Sequence, residues 1–227
     1  MSNLPSTPPL PTRAERAVKI KTGWLRPGIH LIGVFPLLQL AAFWFNDRLT
    51  ANPIQWIEQH FGRAALNLLV ASLAVTPVVT LSGWKGLLPH RRTLGLYSFF
   101  YFALHFLTFA ALDYGLDWRE ILRLTVEKPF IIAGALAGGI LLVLAFTSFQ
   151  YWKKRLGKNW RRLHKAAYLA GGLAVLHYAW AVKGSLATLS GDILRPLGMG
   201  LLVILLLLLR LPPIRRRAAS WRHVMKR

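Results

Sequence analysis

Long stretches without a single Asp, Glu, Lys or Arg decide what this chain can become. They cover residues 27–46, 64–84, 93–112, 129–152 and 166–182, and a sixth, shorter one covers 196–209 between Arg195 and Arg210. A helix rising about 1.5 Å per residue needs about 20 apolar residues to cross a hydrocarbon core of about 30 Å. Basic side chains at the ends of a shorter stretch snorkel to the interface, which admits the sixth. Hydrocarbon offers no water to the backbone, so each crossing segment must satisfy its own hydrogen bonds as a helix. The expectation is an all-α membrane protein, a bundle of six transmembrane helices. The stretches use roughly half of the 227 residues, which leaves no sizeable soluble domain.

Charge assigns the loops to sides. Only 16% of residues are charged, yet 29 Lys and Arg face 8 Asp and Glu. With the N-terminus inside, the inner segments hold 22 of the basic residues and one acid, Glu15, and the outer segments hold 7 of each sign. The inner side is then +21 and the outer side neutral. Lys and Arg accumulate on the cytoplasmic side, so both termini of a multi-pass membrane protein are expected there. The excess charge thus reads as topology, and no nucleic-acid partner is expected. Residues 1–26 hold four prolines between Pro5 and Pro11, then Arg13, Arg16, Lys19, Lys21 and Arg26. They read as a flexible basic lead-in rather than a cleaved signal peptide. Residues 27–211 form the helical domain, and 212–227 a basic cytoplasmic tail on anionic headgroups.

Two outer loops carry pattern. Residues 52–62 place Ile54, Ile57 and Phe61 at helical spacing after Asn-Pro, as in a short interfacial amphipathic helix. Residues 113–128 mix both signs around Trp118, Ile121, Leu122 and Leu124. Either loop can dock a partner or lie on headgroups.

Ionisable groups at membrane depth point to function. His105 lies 12 residues beyond Thr93 and His177 lies 11 beyond Ala166. Both helices run the same way, so the imidazoles sit at one height, roughly 16 to 18 Å from the inner edge. Two imidazoles at one height are the minimal site for a six-coordinate b-type heme, whose metal also removes the cost of an unpaired imidazole. His164 is 13 residues before His177, about 20 Å lower, and cannot serve the same group. His30 and His90 share its height and are candidate partners or interfacial residues; His60 and His223 read as solvent or interface residues. Arg91, Arg92, Arg161 and Arg162, at the inner boundary, can pair with heme propionates or simply follow the inner charge bias. Gly134 and Gly138 form a Gly-x-x-x-Gly pair suited to close helix packing.

The absences narrow the field. With no cysteine there is no thiolate-held cluster and no catalytic thiol. There is no dinucleotide fingerprint and no Walker loop, and none of the acids lies within a span.

The segments NPIQWIEQHFGRAALNLL, Thr76-Pro77, RRTLGLYSFFYFALHFLTF, LAFTS and LGKNWRRLHKAAYLAGGLAVLHYAW resemble a known family. It comprises the heme-binding membrane subunits of bacterial MsrPQ methionine sulfoxide reductase systems, within the ferric-reductase-like transmembrane cytochromes that include NADPH oxidases. The resemblance runs from about Trp24 to Arg210. It implies that His105 and His177 bind an outer heme b and that His164 is a further ligand position. NADPH oxidases carry another histidine 14 residues before the outer one on this span; here that position is Arg91, so heme number is one or two. The resemblance further implies FMN, for which the chain carries no separate motif. It also implies a periplasmic, molybdopterin-containing MsrP-like partner that reduces methionine sulfoxide in oxidised periplasmic proteins.

The expected function is that of a membrane cytochrome b. It takes electrons from the quinone pool or a reduced flavin and passes them outward, with no substrate-reducing site of its own. The alternatives are a stand-alone ferric reductase and a non-redox transporter or scaffold.

Overall fold

A computed structural model describes residues 23–182, 184–185 and 190–214. In chain order the helices are α1 (Leu25–Phe45), α2 (Pro53–Ser82), a 3-10 turn (Lys85–Leu87), α3 (His90–Leu107) continued by a π-helical segment (Thr108–Asp113), α4 (Trp118–Glu127), α5 (Pro129–Phe146), α6 (Gln150–Leu156), α7 (Lys158–Leu163), α8 (Ala166–Ala181) and α9 (Leu194–Leu208). Gly184–Ser185 and Ser190–Gly191 make a two-residue antiparallel ladder between α8 and α9. The basic lead-in and tail expected at 1–26 and 212–227 lie outside the described residues, apart from 23–26 and 212–214.

Four stretches, Leu25–Phe45, Pro53–Ser82, Lys85–Asp113 and Pro129–Phe146, are long and apolar enough to cross a bilayer. The fifth and sixth expected spans form α8 and α9, of 16 and 15 residues. Large apolar side chains point outward along the bundle, among them Leu31, Phe35 and Leu38 of α1, Leu136 of α5, and Leu201 and Ile204 of α9. Water would penalise such a surface, whereas lipid does not. The chain is a multi-pass membrane protein.

α2 is the hub. Half of its apolar window is buried, against 11% for α1. Phe61, Ala64, Ala65 and Leu68 of α2 meet Leu94 and Tyr101 of α3; Leu66, Val70 and Leu73 meet Val203 and Leu206 of α9; Leu69 meets Leu141 and Ala170. α2 starts where Asn52 Oδ1 accepts from Gln55 N at 3.1 Å, with Pro53 pre-set for the first turn. It ends at Gly83, whose φ of 75° is the left-handed conformation that closes a helix.

The sequence separates an interfacial helix at 52–62 from a span beginning at 64, whereas the structure makes them one 30-residue helix. Gly62 and Arg63 do not interrupt it, because the helical pattern of Ile57, Phe61, Ala64, Ala65 and Leu68 continues through them onto a single packed face. The reading of His60 as a solvent or interface residue is corrected for the same reason. His60 is buried, bonded through Nε2 to the Pro36 carbonyl of α1 at 2.9 Å, and stacked on Trp56. The 113–128 loop does contain a helix, α4, capped by Asp117 and burying Ile121 and Leu124.

Polar side chains tie the hub to its neighbours. The fully buried Ser98 and Tyr101 donate to the carbonyls of Ala65 and Gly33, at 2.8 and 2.7 Å. Tyr101→Phe is expected to lower stability by about 1 kcal/mol, read as a reduced Tm in detergent with an unchanged helical circular-dichroism spectrum.

Charge separates the two ends of the bundle. At the acidic end burial raises the pKa of Tyr114, and Asp113, Glu58 and Glu120 raise it further. At the basic end stand Arg91, Arg92, His164 and Arg210.

Candidate functional site: a pair of imidazoles

His105 stands in the last turns of α3, just before the π-helical segment, and His177 stands in α8. Each ring is anchored on a neighbouring helix. His105 Nδ1 bonds to the Glu58 carbonyl of α2 at 2.9 Å, and His177 Nδ1 to the Phe130 carbonyl of α5 at 2.8 Å. A carbonyl oxygen only accepts, so in the neutral ring Nδ1 carries the hydrogen and Nε2 keeps its lone pair. Among the described residues neither Nε2 has a hydrogen-bond partner. This is the tautomer a metal-binding histidine needs, held by the backbone contact that orients such ligands.

Each anchor depends on a glycine one helical turn beyond the carbonyl. A Cβ on Gly62 would fall 3.2 Å from His105 Nδ1, and a Cβ on Gly134 would fall 2.7 Å from His177 Nδ1. Without those side chains the ring edges reach the helix backbone. The two arrangements also repeat in sequence. Each histidine follows its carbonyl by 47 residues and its glycine by 43. One 72-residue offset therefore carries Glu58, Gly62 and His105 onto Phe130, Gly134 and His177. The same offset relates Ser98 to Ala170, both fully buried. The α2–α3 and α5–α8 pairs present their histidines as two copies of one device.

The ring centroids lie 6.1 Å apart with planes at 75°. A five-membered ring with bonds of about 1.33 Å has its nitrogen about 1.1 Å from the centroid. With metal–nitrogen bonds of about 2.0 Å, imidazoles on opposite sides of one metal have centroids about 6.2 Å apart. The residues present therefore fit a bis-imidazole metal group. No cluster of three or more His, Asp or Glu residues that could hold a metal occurs among the described residues. The arrangement fits a b-type heme, with its two axial imidazoles, better than a metal held wholly by protein ligands.

His164 lies elsewhere, at the turn between α7 and α8. It stacks on Trp160, ring centroids 4.0 Å apart, with Nε2 3.3 Å from Thr147 Oγ1. Trp160 Nε1 donates to the Thr147 carbonyl at 2.9 Å. Burial pushes the His164 pKa below the usual imidazole value; Arg91 and Arg92 push the same way and the Thr147 bond opposes them. Among the described residues neither His30 nor His90 is a hydrogen-bond or stacking partner of His164; His30 bonds to Tyr97 Oη at 2.9 Å. Arg91 is close enough for its charge to act on His164, and its carbonyl accepts from Ser72 Oγ at 2.9 Å.

Sequence reasoning missed Glu58, Gly62 and Phe130 altogether and read Gly134 only as a packing residue. The signal that finds them is the repeated offset, a glycine 43 residues before each intramembrane histidine.

Paired imidazoles between apolar helices make this a membrane protein with a candidate bis-histidine site. The family described as ferric reductase like transmembrane component matches residues 61–175, a range that holds His105 and His164 and stops two residues before His177. The chain is 40% identical over 183 residues to the protein-methionine-sulfoxide reductase heme-binding subunit MsrQ of Herminiimonas arsenicoxydans, covering 80% of this chain and 82% of that one. It is 38% identical over 203 residues to MsrQ of Bordetella pertussis (strain Tohama I), covering 88% and 92%, and 38% identical over 176 residues to MsrQ of Ralstonia nicotianae, covering 77% and 78%. The chain belongs to the MsrQ family of ferric-reductase-like transmembrane proteins.

Proposed function

We propose that this chain is the heme-carrying electron-transfer subunit of a bacterial protein-methionine-sulfoxide reductase system. The observation that carries the reading is the His105–His177 pair, each Nδ1 fixed on a carbonyl and the rings one metal apart. The names of the relatives, heme-binding subunits of such systems, agree with it. His105 and His177 hold a heme b, which supplies a one-electron iron couple. The Glu58 and Phe130 carbonyls keep both imidazoles neutral, oriented and strongly basic, which favours the oxidised metal. Apolar walls from α2, α3, α5 and α8 keep water from the pair.

Around this centre, six helices within 27–211 span the inner membrane, with both termini cytoplasmic and basic segments on either side. α8 and α9 complete their crossings by snorkelling of flanking Lys and Arg. Quinol or reduced flavin donates electrons on the cytoplasmic side, where His164 and Arg91 form an inner step; FMN rests on the family resemblance alone. A periplasmic molybdopterin-containing MsrP-like reductase accepts them near 47–63 and 113–128, where α4 and the start of α2 carry both signs of charge. The sulfoxide chemistry belongs to that partner.

Optical spectra of the purified protein before and after dithionite test the reading. A reduced b-type absorbance with at least one heme per polypeptide is expected, and a colourless protein would overturn it.

A further inference from the structure

Residues 150–165, the hairpin of α6 and α7 and its exit into α8, hold seven Lys and Arg and no Asp or Glu, and all seven cations are exposed. A topology signal needs only that count, in a loop of any shape. Here the loop is folded, turning at Gly157 with a φ of 49°, and two tryptophans fix it to the end of α5. Trp152 packs on Phe146 with ring centroids 5.4 Å apart, and Trp160 Nε1 donates to the Thr147 carbonyl. The same rings seat the cations. Lys153 Nζ lies 5.7 Å from the Trp160 centroid; the Arg155 guanidinium lies 5.5 Å from that of Trp152 and donates to Tyr151 Oη. Contacts of this kind hold a charge in place without neutralising it. Among the described residues the ion pairs are Arg123 with Glu120 and Glu127, all on α4, and none involves the hairpin. α5 is long and apolar enough to cross the bilayer and ends at Phe146, and α8 starts at Ala166, which leaves the hairpin at headgroup depth. Phe149 and Tyr151 stand exposed beside the cations, at 58% and 61%.

We propose that the α6–α7 hairpin is a docking platform for anionic phospholipid headgroups in the leaflet at the basic end of the bundle. Phosphate diesters accept hydrogen bonds from the exposed Lys and Arg, from arginine through paired N–H donors. Phe149 and Tyr151 enter the boundary between headgroups and acyl chains, where aromatic rings are at home. Because Trp152 and Trp160 already fix the two helices, binding has little backbone left to order. A soluble acidic protein would match the charge but would leave the exposed rings at bilayer depth unused. The site lies beyond the electron-transfer reading and does not depend on heme at the His105–His177 pair.

The chain has no cysteine, so Asn159→Cys gives a single attachment point for a nitroxide on an exposed position of α7. Electron paramagnetic resonance of the labelled full chain reads the mobility of the label and its collisions with a water-soluble nickel chelate. In nanodiscs, adding phosphatidylglycerol to phosphatidylcholine is expected to slow the label and shield it from the chelate. In neutral detergent micelles the same signal should saturate as phosphatidylglycerol is titrated. Each cation near an anionic surface is worth about fivefold in affinity, so Lys154→Gln combined with Lys158→Gln should weaken the titration roughly 25-fold. Arg161→Gln combined with Arg162→Gln should do the same, and the helical circular dichroism of both variants should match that of the parent. Arg215→Gln combined with Arg216→Gln removes equal charge from 212–227 and should leave the titration unchanged. Equal weakening there would make the effect one of net charge and overturn the proposal. So would a signal that inorganic phosphate reproduces against chloride at matched ionic strength, which assigns a free anion. No response to phosphatidylglycerol also overturns it and leaves the platform to a soluble acidic partner.

Discussion

Purified His177→Ala is expected to lose the low-spin b-type spectrum, with heme per polypeptide falling at least tenfold, and His105→Ala is expected to behave in the same way. The two should match because each ring would supply one of the two imidazoles that hold the heme. Loss of one would leave the other imidazole unpaired in an apolar bundle. Either variant should keep its helical circular dichroism, since the packing of α2 on α3 rests on Phe61, Ala65, Leu68, Leu94 and Tyr101 rather than on the histidines. His164→Ala is the control: it stands on Trp160 and Thr147, away from the pair, and should leave the spectrum of this heme in place. Full heme retention in His105→Ala or His177→Ala would contradict the ligation.

The second large effect is expected at glycine. Gly134→Ala puts a methyl group 2.7 Å from His177 Nδ1 and 2.9 Å from Cε1, inside any real carbon contact. The ring must leave the Phe130 carbonyl, or α5 and α8 must separate. Losing an orienting contact of this kind costs about 10- to 100-fold in metal affinity, measured by heme titration of the heme-free protein. Gly62→Ala should do less, because its new carbon would stand 3.2 Å from His105 Nδ1 and the ring need yield only slightly. The order of the two is the informative result, and a larger loss at Gly62 would count against the anchoring geometry.

Much of this architecture was open to reading from residues alone. Uncharged length marks helices in lipid, and counting residues from the span edges set His105 and His177 at one height, where the structure places their rings side by side. The resolution of that reading is about one helical turn, so what depends on contact between helices escaped it. The continuity of α2 through Gly62 and Arg63 was hidden because a charge at a span edge and a charge on a packed helix look alike in one dimension. His60 was misread on the same ground, its carbonyl partner lying 24 residues away on α1. Arg210 read as one more basic end of a span, and only Pro77 of α2, which has no N–H to offer the Leu73 carbonyl, shows why it reaches inward to Leu73.

The measurement that bears most directly on the central claim is electron paramagnetic resonance of the oxidised wild-type protein. Two neutral imidazoles on one iron, their planes 75° apart, predict a low-spin ferric signal of large anisotropy that disappears in both His105→Ala and His177→Ala. A high-spin signal in the wild type, or a low-spin signal surviving both replacements, would contradict the account.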